Sequence, residues 1–133
     1  MFTPFSDTAY EPWKANNTKE LESLLKEIKN RDPGGMTALH PAAVKALKVL
    51  KDENNNTYNT SIILMTDGAG NVGTFEELSA YYNKIKKDIP IYSIKFASAS
   101  DYQLNQIANL TNGKVFDGTT SLIDAFMEVR GYN

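Results

Sequence analysis

Cysteine is absent from the 133 residues, which excludes disulfides, thiolate metal sites and cysteine nucleophiles. Histidine occurs once, at His40, and no Gly-x-Ser-x-Gly elbow accompanies it. Without a nucleophile beside it, this residue lacks the setting of a general base and is expected on the rim of the loop that precedes it. No apolar run approaches the roughly 20 residues that span a bilayer. The opening Met1-Phe2-Thr3-Pro4-Phe5 does not have the make-up of a signal peptide. A surplus of positive charge is missing too. The net charge is −2 and no face gathers lysines and arginines, so nothing points to nucleic acid. The lysines stand beside glutamates, as in Lys19-Glu20 and Lys26-Glu27, the pattern of a solvated helix surface.

What is present is enough for an ordinary core. Apolar residues make up 41% and charged residues 23%, a globular balance, and the length fits one domain over 1–133. Four Asn-x-Ser/Thr sequons begin at Asn16, Asn55, Asn59 and Asn109; in a chain this rich in asparagine they read as chance matches.

Strand-like and helix-like stretches alternate, which predicts a largely parallel sheet with helices packed on it. Residues 1–5 read as the end of a strand, with 8–14 returning after a Ser6-Asp7 turn. Asn17 caps a first helix whose Leu21, Leu24, Leu25 and Ile28 have the spacing of one buried face. Asp32-Pro33-Gly34-Gly35 is a breaker. A second helix, 38–51, tolerates Pro41 in its first turn and carries Ala42, Ala43 and Ala46 on an inner face. The polar stretch 52–60 is a loop. Residues 61–66 form a central buried strand, and Thr74-Phe75-Glu76-Glu77 is a capping box that opens the next helix. A strand over 89–96, a helix capped by Ser100, a short strand over 113–116 and a last helix over 121–129 complete the pattern.

Two loops should converge. Gly34-Gly35-Met36-Thr37-Ala38-Leu39 runs into a helix, and Met65-Thr66-Asp67-Gly68 leaves a strand at the carboxyl edge of the sheet. In open α/β folds that edge is where ligands bind. The Thr37 hydroxyl and the Asp67 carboxylate are hard oxygen donors suited to Mg²⁺ or another divalent cation that keeps some of its water. Each also has a plainer reading: Thr37 as a helix N-cap, Asp67 as a turn residue bonding nearby backbone N–H groups.

Together these stretches resemble the von Willebrand factor type A (VWA) family. The resemblance rests on Phe5-Ser6-Asp7 after a strand, on Gly34-Gly35-Met36-Thr37-Ala38-Leu39-His40-Pro41-Ala42, and on Ile63-Leu64-Met65-Thr66-Asp67-Gly68. It continues through Ile89-Pro90-Ile91-Tyr92-Ser93-Ile94 and Leu104-Asn105-Gln106-Ile107-Ala108 to Thr111-Asn112-Gly113-Lys114-Val115-Phe116, in the family's order. The implied fold is a three-layer Rossmann-like α/β domain, a mostly parallel sheet flanked by helices.

The implied function is non-catalytic: a protein-interaction or adhesion module that binds an acidic group of its partner through a divalent cation. By resemblance Thr37 lies on the second metal-binding loop and Asp67 on the third, with Gly34, Gly35 and Gly68 shaping them. The first loop, Asp-x-Ser-x-Ser, has no counterpart here, and Met36 intervenes in the commoner Gly-Gly-Thr. The chain is therefore expected to start at the family's second strand, as an incomplete domain cut from a longer protein. Cation affinity should then be weak or absent. The resemblance leaves the compartment open; many bacterial relatives are extracytoplasmic.

Two other readings stand beside it. Gly68-Ala69-Gly70-Asn71-Val72-Gly73 fits the Gly-x-Gly-x-x-Gly of a nucleotide-binding enzyme. Asp67 before it, Glu76 and Glu77 after it, and the lack of an acid on the following strand all count against pyrophosphate and ribose. The other is structural: an incomplete sheet accepting a strand from another chain or pairing in a homodimer. Phe2, Tyr10 and Trp13 are expected to pack at the sheet edge, and Asp101 and Asp117 to be solvated caps or turns.

Overall fold

Among the described residues five helices and three strands follow one another: α1 (Thr18–Lys29), α2 (Leu39–Leu50), β1 (Ile62–Thr66), α3 (Phe75–Ile85), β2 (Ile91–Lys95), α4 (Asp101–Thr111), β3 (Val115–Asp117) and α5 (Leu122–Tyr132). The structure, a computed structural model, describes residues 1–30, 35–52, 60–97 and 99–132. The Asp32-Pro33-Gly34 part of the predicted breaker and most of the 52–60 loop lie outside the described residues.

The sheet is parallel, in the order β1-β2-β3, with Ile62 opposite Ile91 and Ser93 opposite Val115. Parallel strands need crossovers, and α3 and α4 supply them. In β2 Ile91, Tyr92, Ser93 and Ile94 are all buried, as expected of a strand covered on both faces. In β1 burial alternates, and Met65 is 37% exposed. The strand expected at the centre, 61–66, is thus an edge strand among the described residues, and β2 holds the middle.

The core on one face joins Leu39, Leu47, Ile62, Leu64, Leu78, Ile89, Ile91, Leu104 and Ile107. On the other face Tyr92, Ile94, Phe116, Ala125 and Val129 gather under α5. Helices on both faces of the sheet make the three layers of a Rossmann-like domain. Small residues let α2 lie close: Ala42, Ala43 and Ala46 are all buried, as predicted. The capping box of α3 is complete, because Thr74 Oγ1 accepts from the N–H of Glu77 and the Glu77 carboxylate accepts from the N–H of Thr74. Ser100 Oγ accepts from the N–H of Gln103 at the start of α4.

At Gly113, between α4 and β3, the chain passes so close to Ile91 that a Cβ would fall onto that residue's carbonyl group. Only glycine fits there.

The N-terminal segment turns back on itself as expected, but only through isolated bridges. Phe2 and Trp13 form one antiparallel bridge and Phe5 and Ala9 another, around a turn at residues 6–8. These isolated bridges do not join the parallel sheet. The rings of Phe2 and Trp13 lie 5.9 Å apart, each covering the other. The apolar stripe of α1 was expected to be buried, yet Leu21 is 47% exposed and Leu24 only half-buried. Among the described residues no named element packs broadly on this helix, and periodicity here does not by itself bring Leu21 under cover. The side chains of Leu25 and Ile28 lie outside the described set.

Candidate functional site at the carboxyl edge of the sheet

The loop leaving β1 is shaped by Thr66. Its buried hydroxyl donates to the carbonyl of Gly68 (3.0 Å) and accepts from the N–H of Gly68 (3.3 Å), folding the chain sharply around Asp67. Asp67 thereby stands exposed at the end of the strand. Opposite lies the stretch entering α2, whose residue Thr37 is half-buried.

Asn71 holds the two loops together. Its side-chain oxygen accepts from the N–H of Thr37 (2.7 Å), while the carbonyl of Thr37 accepts from the N–H groups of Asn71 (3.0 Å) and Val72 (3.3 Å). The backbone of Thr37 is therefore fully engaged. Its hydroxyl remains, and Oγ1 lies 3.2 Å from the point where a Cβ on Gly68 would stand. The hydroxyl and the turn carrying Asp67 thus share one corner, and the missing Cβ of Gly68 makes room for it. A hydroxyl beside a carboxylate-bearing turn, in a corner that a Cβ on Gly68 would crowd, fits a hydrated hard cation. Among the described residues no group of three or more His, Asp or Glu side chains gathers anywhere. Such a corner lacks the ligands of a closed metal cage.

A third segment closes on the first two. The carbonyl of Ser6 accepts from the N–H of Ala38 (2.6 Å), and Gly35 lies against Ser6. The Ser6 hydroxyl donates to Asp7 (2.8 Å).

The glycine-rich loop is held by the protein itself. Gln103 clamps Gly70 on both sides, accepting from its N–H and donating to its carbonyl, each at 2.7 Å. Gly73 has φ +72°, and a Cβ there would meet the ring of Pro41 at 2.6 Å. Packing against α2 and α4 thus accounts for these glycines without a pyrophosphate, and the first turn of α3 already carries its own cap. Asn71 and Gln103 do the most to fix the loop. Neither stood out in the sequence, because the partners they hold are 34 and 33 residues away.

Further along the same edge Lys95 pairs with Asp101 at 2.8 Å, and this bond raises the lysine pKa. The side chain and backbone N–H of Thr119 hold the Asp117 carboxyl below its ordinary value. Both acids are exposed residues at element ends, as read from the sequence.

His40 is where the sequence reading fails. It was expected on the rim, but it is 3% exposed. As the second residue of α2 it points under the first turn of α3, edge-on to Phe75 with ring centres 6.3 Å apart. Burial lowers its pKa, against the pull of Glu76 and then Glu77.

Residues 2–127 match the family model described as von Willebrand factor type A domain. No curated protein sequence matches the chain. VWA domains are generally non-catalytic modules that bind other proteins, and divalent cations are common among them. No helix among the described residues is long and apolar enough to cross a membrane. With the match running over almost the whole chain, and helices on both faces of a parallel sheet, this chain belongs to the von Willebrand factor type A family.

Proposed function

We propose that the chain binds a protein partner through a divalent cation, Mg²⁺ or a similar ion, held between Thr37 and Asp67. The observation that carries the reading is the shared corner of the Thr37 hydroxyl and the Gly68 turn. When bound, the cation supplies positive charge and open coordination positions for an acidic side chain. Asp67 contributes charge, directly or through water, and Thr37 a neutral oxygen. Asn71 and Thr66 hold the two loops at a fixed separation, so less ordering is left to be done on binding. Two protein donors leave most of the ion's positions to water, so the expected affinity is roughly millimolar or weaker. Calorimetric titration with MgCl₂ tests this. Weak binding that vanishes in Asp67→Ala supports the assignment; micromolar binding, or binding indifferent to that substitution, refutes it.

A second reading has its own support. Among the described residues β1 is paired on one side only, by β2. An open edge of backbone N–H and C=O groups is a template for another strand, from a partner or a second copy. Light scattering at rising concentration decides the second copy: self-association that substitutions on the exposed side of β1 abolish supports it, and a strict monomer removes it. Thermal shifts with ATP and NAD separate both readings from the nucleotide one, since a ligand that binds only the folded chain raises its melting temperature.

A further inference from the structure

His40 is buried without a partner. Neither Nδ1 nor Nε2 has a hydrogen bond among the described residues, and an orphaned buried polar atom is costly. The neutral ring bears this. An imidazolium would bear it far less well, because it would sit at the positive end of α2, whose N-cap Ala38 offers no side-chain acceptor.

Charge acceptors are close by, but outside. His40 lies beneath a groove walled by Ala69 and Gly73 on one side, Phe75 and Glu76 on the next, and Tyr102 on α4. The titratable groups around the ring are the exposed carboxylates of Glu76 and Glu77 from α3 and the exposed phenol of Tyr102 from α4. Gln103 and Gln106 on α4 are neutral, and the 69–73 loop carries no ionisable side chain. A charged ring would find its acceptors outside, in the carboxylates of Glu76 and Glu77.

Leaving the inner place disturbs what lies over it. Phe75 stacks edge-on against the ring, and the neighbouring Pro41 is wedged against Gly73. Residues 69–73 join the Asp67 turn to α3 without a break.

We propose that His40 is a proton-operated latch: on protonation its ring swings out to Glu76 and Glu77, releasing the first turn of α3 and loosening the 69–73 loop beside Asp67. This goes beyond the cation reading and does not depend on it. The direction with pH follows from burial. A histidine held below its ordinary value of about 6.5 stabilises the fold fully above that pH. The contribution is lost as pH falls through the unfolded value and then the lower folded one.

Because the chain has a single histidine, its imidazole C–H signals in an NMR titration are unambiguous. The test is that titration together with amide hydrogen exchange in chelator-containing buffer, on the wild-type chain, His40→Phe and His40→Gln. The expected midpoint lies below 6.5. On crossing it, protection in 69–73 and the first turn of α3 should drop roughly tenfold relative to the sheet. Both substitutions should remove that drop, and the glutamine variant serves alone where phenylalanine does not fold. A midpoint at or above 6.5 overturns the proposal. So does an equal acid-induced loosening in wild type and variants, which would assign the effect to carboxylates. The chelator keeps any failure of cation binding from affecting either result.

Discussion

Helices α1 and α2 are each 12 residues long, and the one with the cleaner apolar stripe is the less covered among the described residues. In α1 a few leucines stand among lysines and glutamates, and Leu21 is 47% exposed. In α2 alanines alternate with larger apolar residues, and Leu39 and Leu47 are almost wholly buried. Periodicity says which side of a helix would be covered. Whether it is covered depends on having a surface to meet and enough apolar area to hold it there. The sheet offers α2 that surface; the bridged segment before α1 offers little.

If this contrast is right, changes in the layered half should unfold the molecule, while matching changes around α1 should pass almost unnoticed. The largest effect is expected at Gly113. Alanine there would drive a Cβ into the Ile91 carbonyl, and the necessary backbone shift at the centre of the sheet should cost about 3 kcal/mol or more. Urea unfolding followed by circular dichroism would show a variant near or past its midpoint without denaturant.

Next come paired truncations. Leu39→Ala, at a fully buried position, should cost about 2–5 kcal/mol. Leu21→Ala should lie within roughly 0.5 kcal/mol of wild type. Equal losses in the two variants would show that α1 is packed after all.

Smaller still are the caps. Thr74→Ala removes one arm of the α3 capping box and should cost about 1 kcal/mol of global stability. Asn17 caps α1 in the same manner, its side-chain oxygen accepting from the N–H of Glu20 at 3.0 Å. Asn17→Ala should nevertheless leave the thermal midpoint in place and only speed amide exchange within α1. The two measurements ask whether a helix belongs to the cooperative unit, independently of how well it is capped.

The same contrast explains what could be read in the sequence. Local signals succeeded: the Thr74 capping box, the alanine face of α2, the proline before β2 and the strand–helix alternation all rest on neighbours within a turn or two. The corner of Thr37 and Gly68 was also anticipated, since two loops at one sheet edge have little choice but to meet. Long-range geometry escaped. Asn71 and Gln103 are unremarkable polar residues until the fold brings Thr37 and Gly70 to them. His40 is expected on the rim because no nucleophile stands beside it in the sequence; its burial depends on Phe75, 35 residues on, closing over it. The unpaired side of 61–66 among the described residues is what the expected incomplete sheet implies, although a run of isoleucines alone is silent on it.

The proposed cation corner is tested most directly by paramagnetic broadening. Mn²⁺ added in small steps to the labelled chain should erase the amide signals of Thr37, Asp67 and Gly68 first, leaving those of α1 and the far end of α4 sharp, and Asp67→Ala should abolish the pattern. Broadening that begins elsewhere, or persists unchanged in Asp67→Ala, would contradict the account.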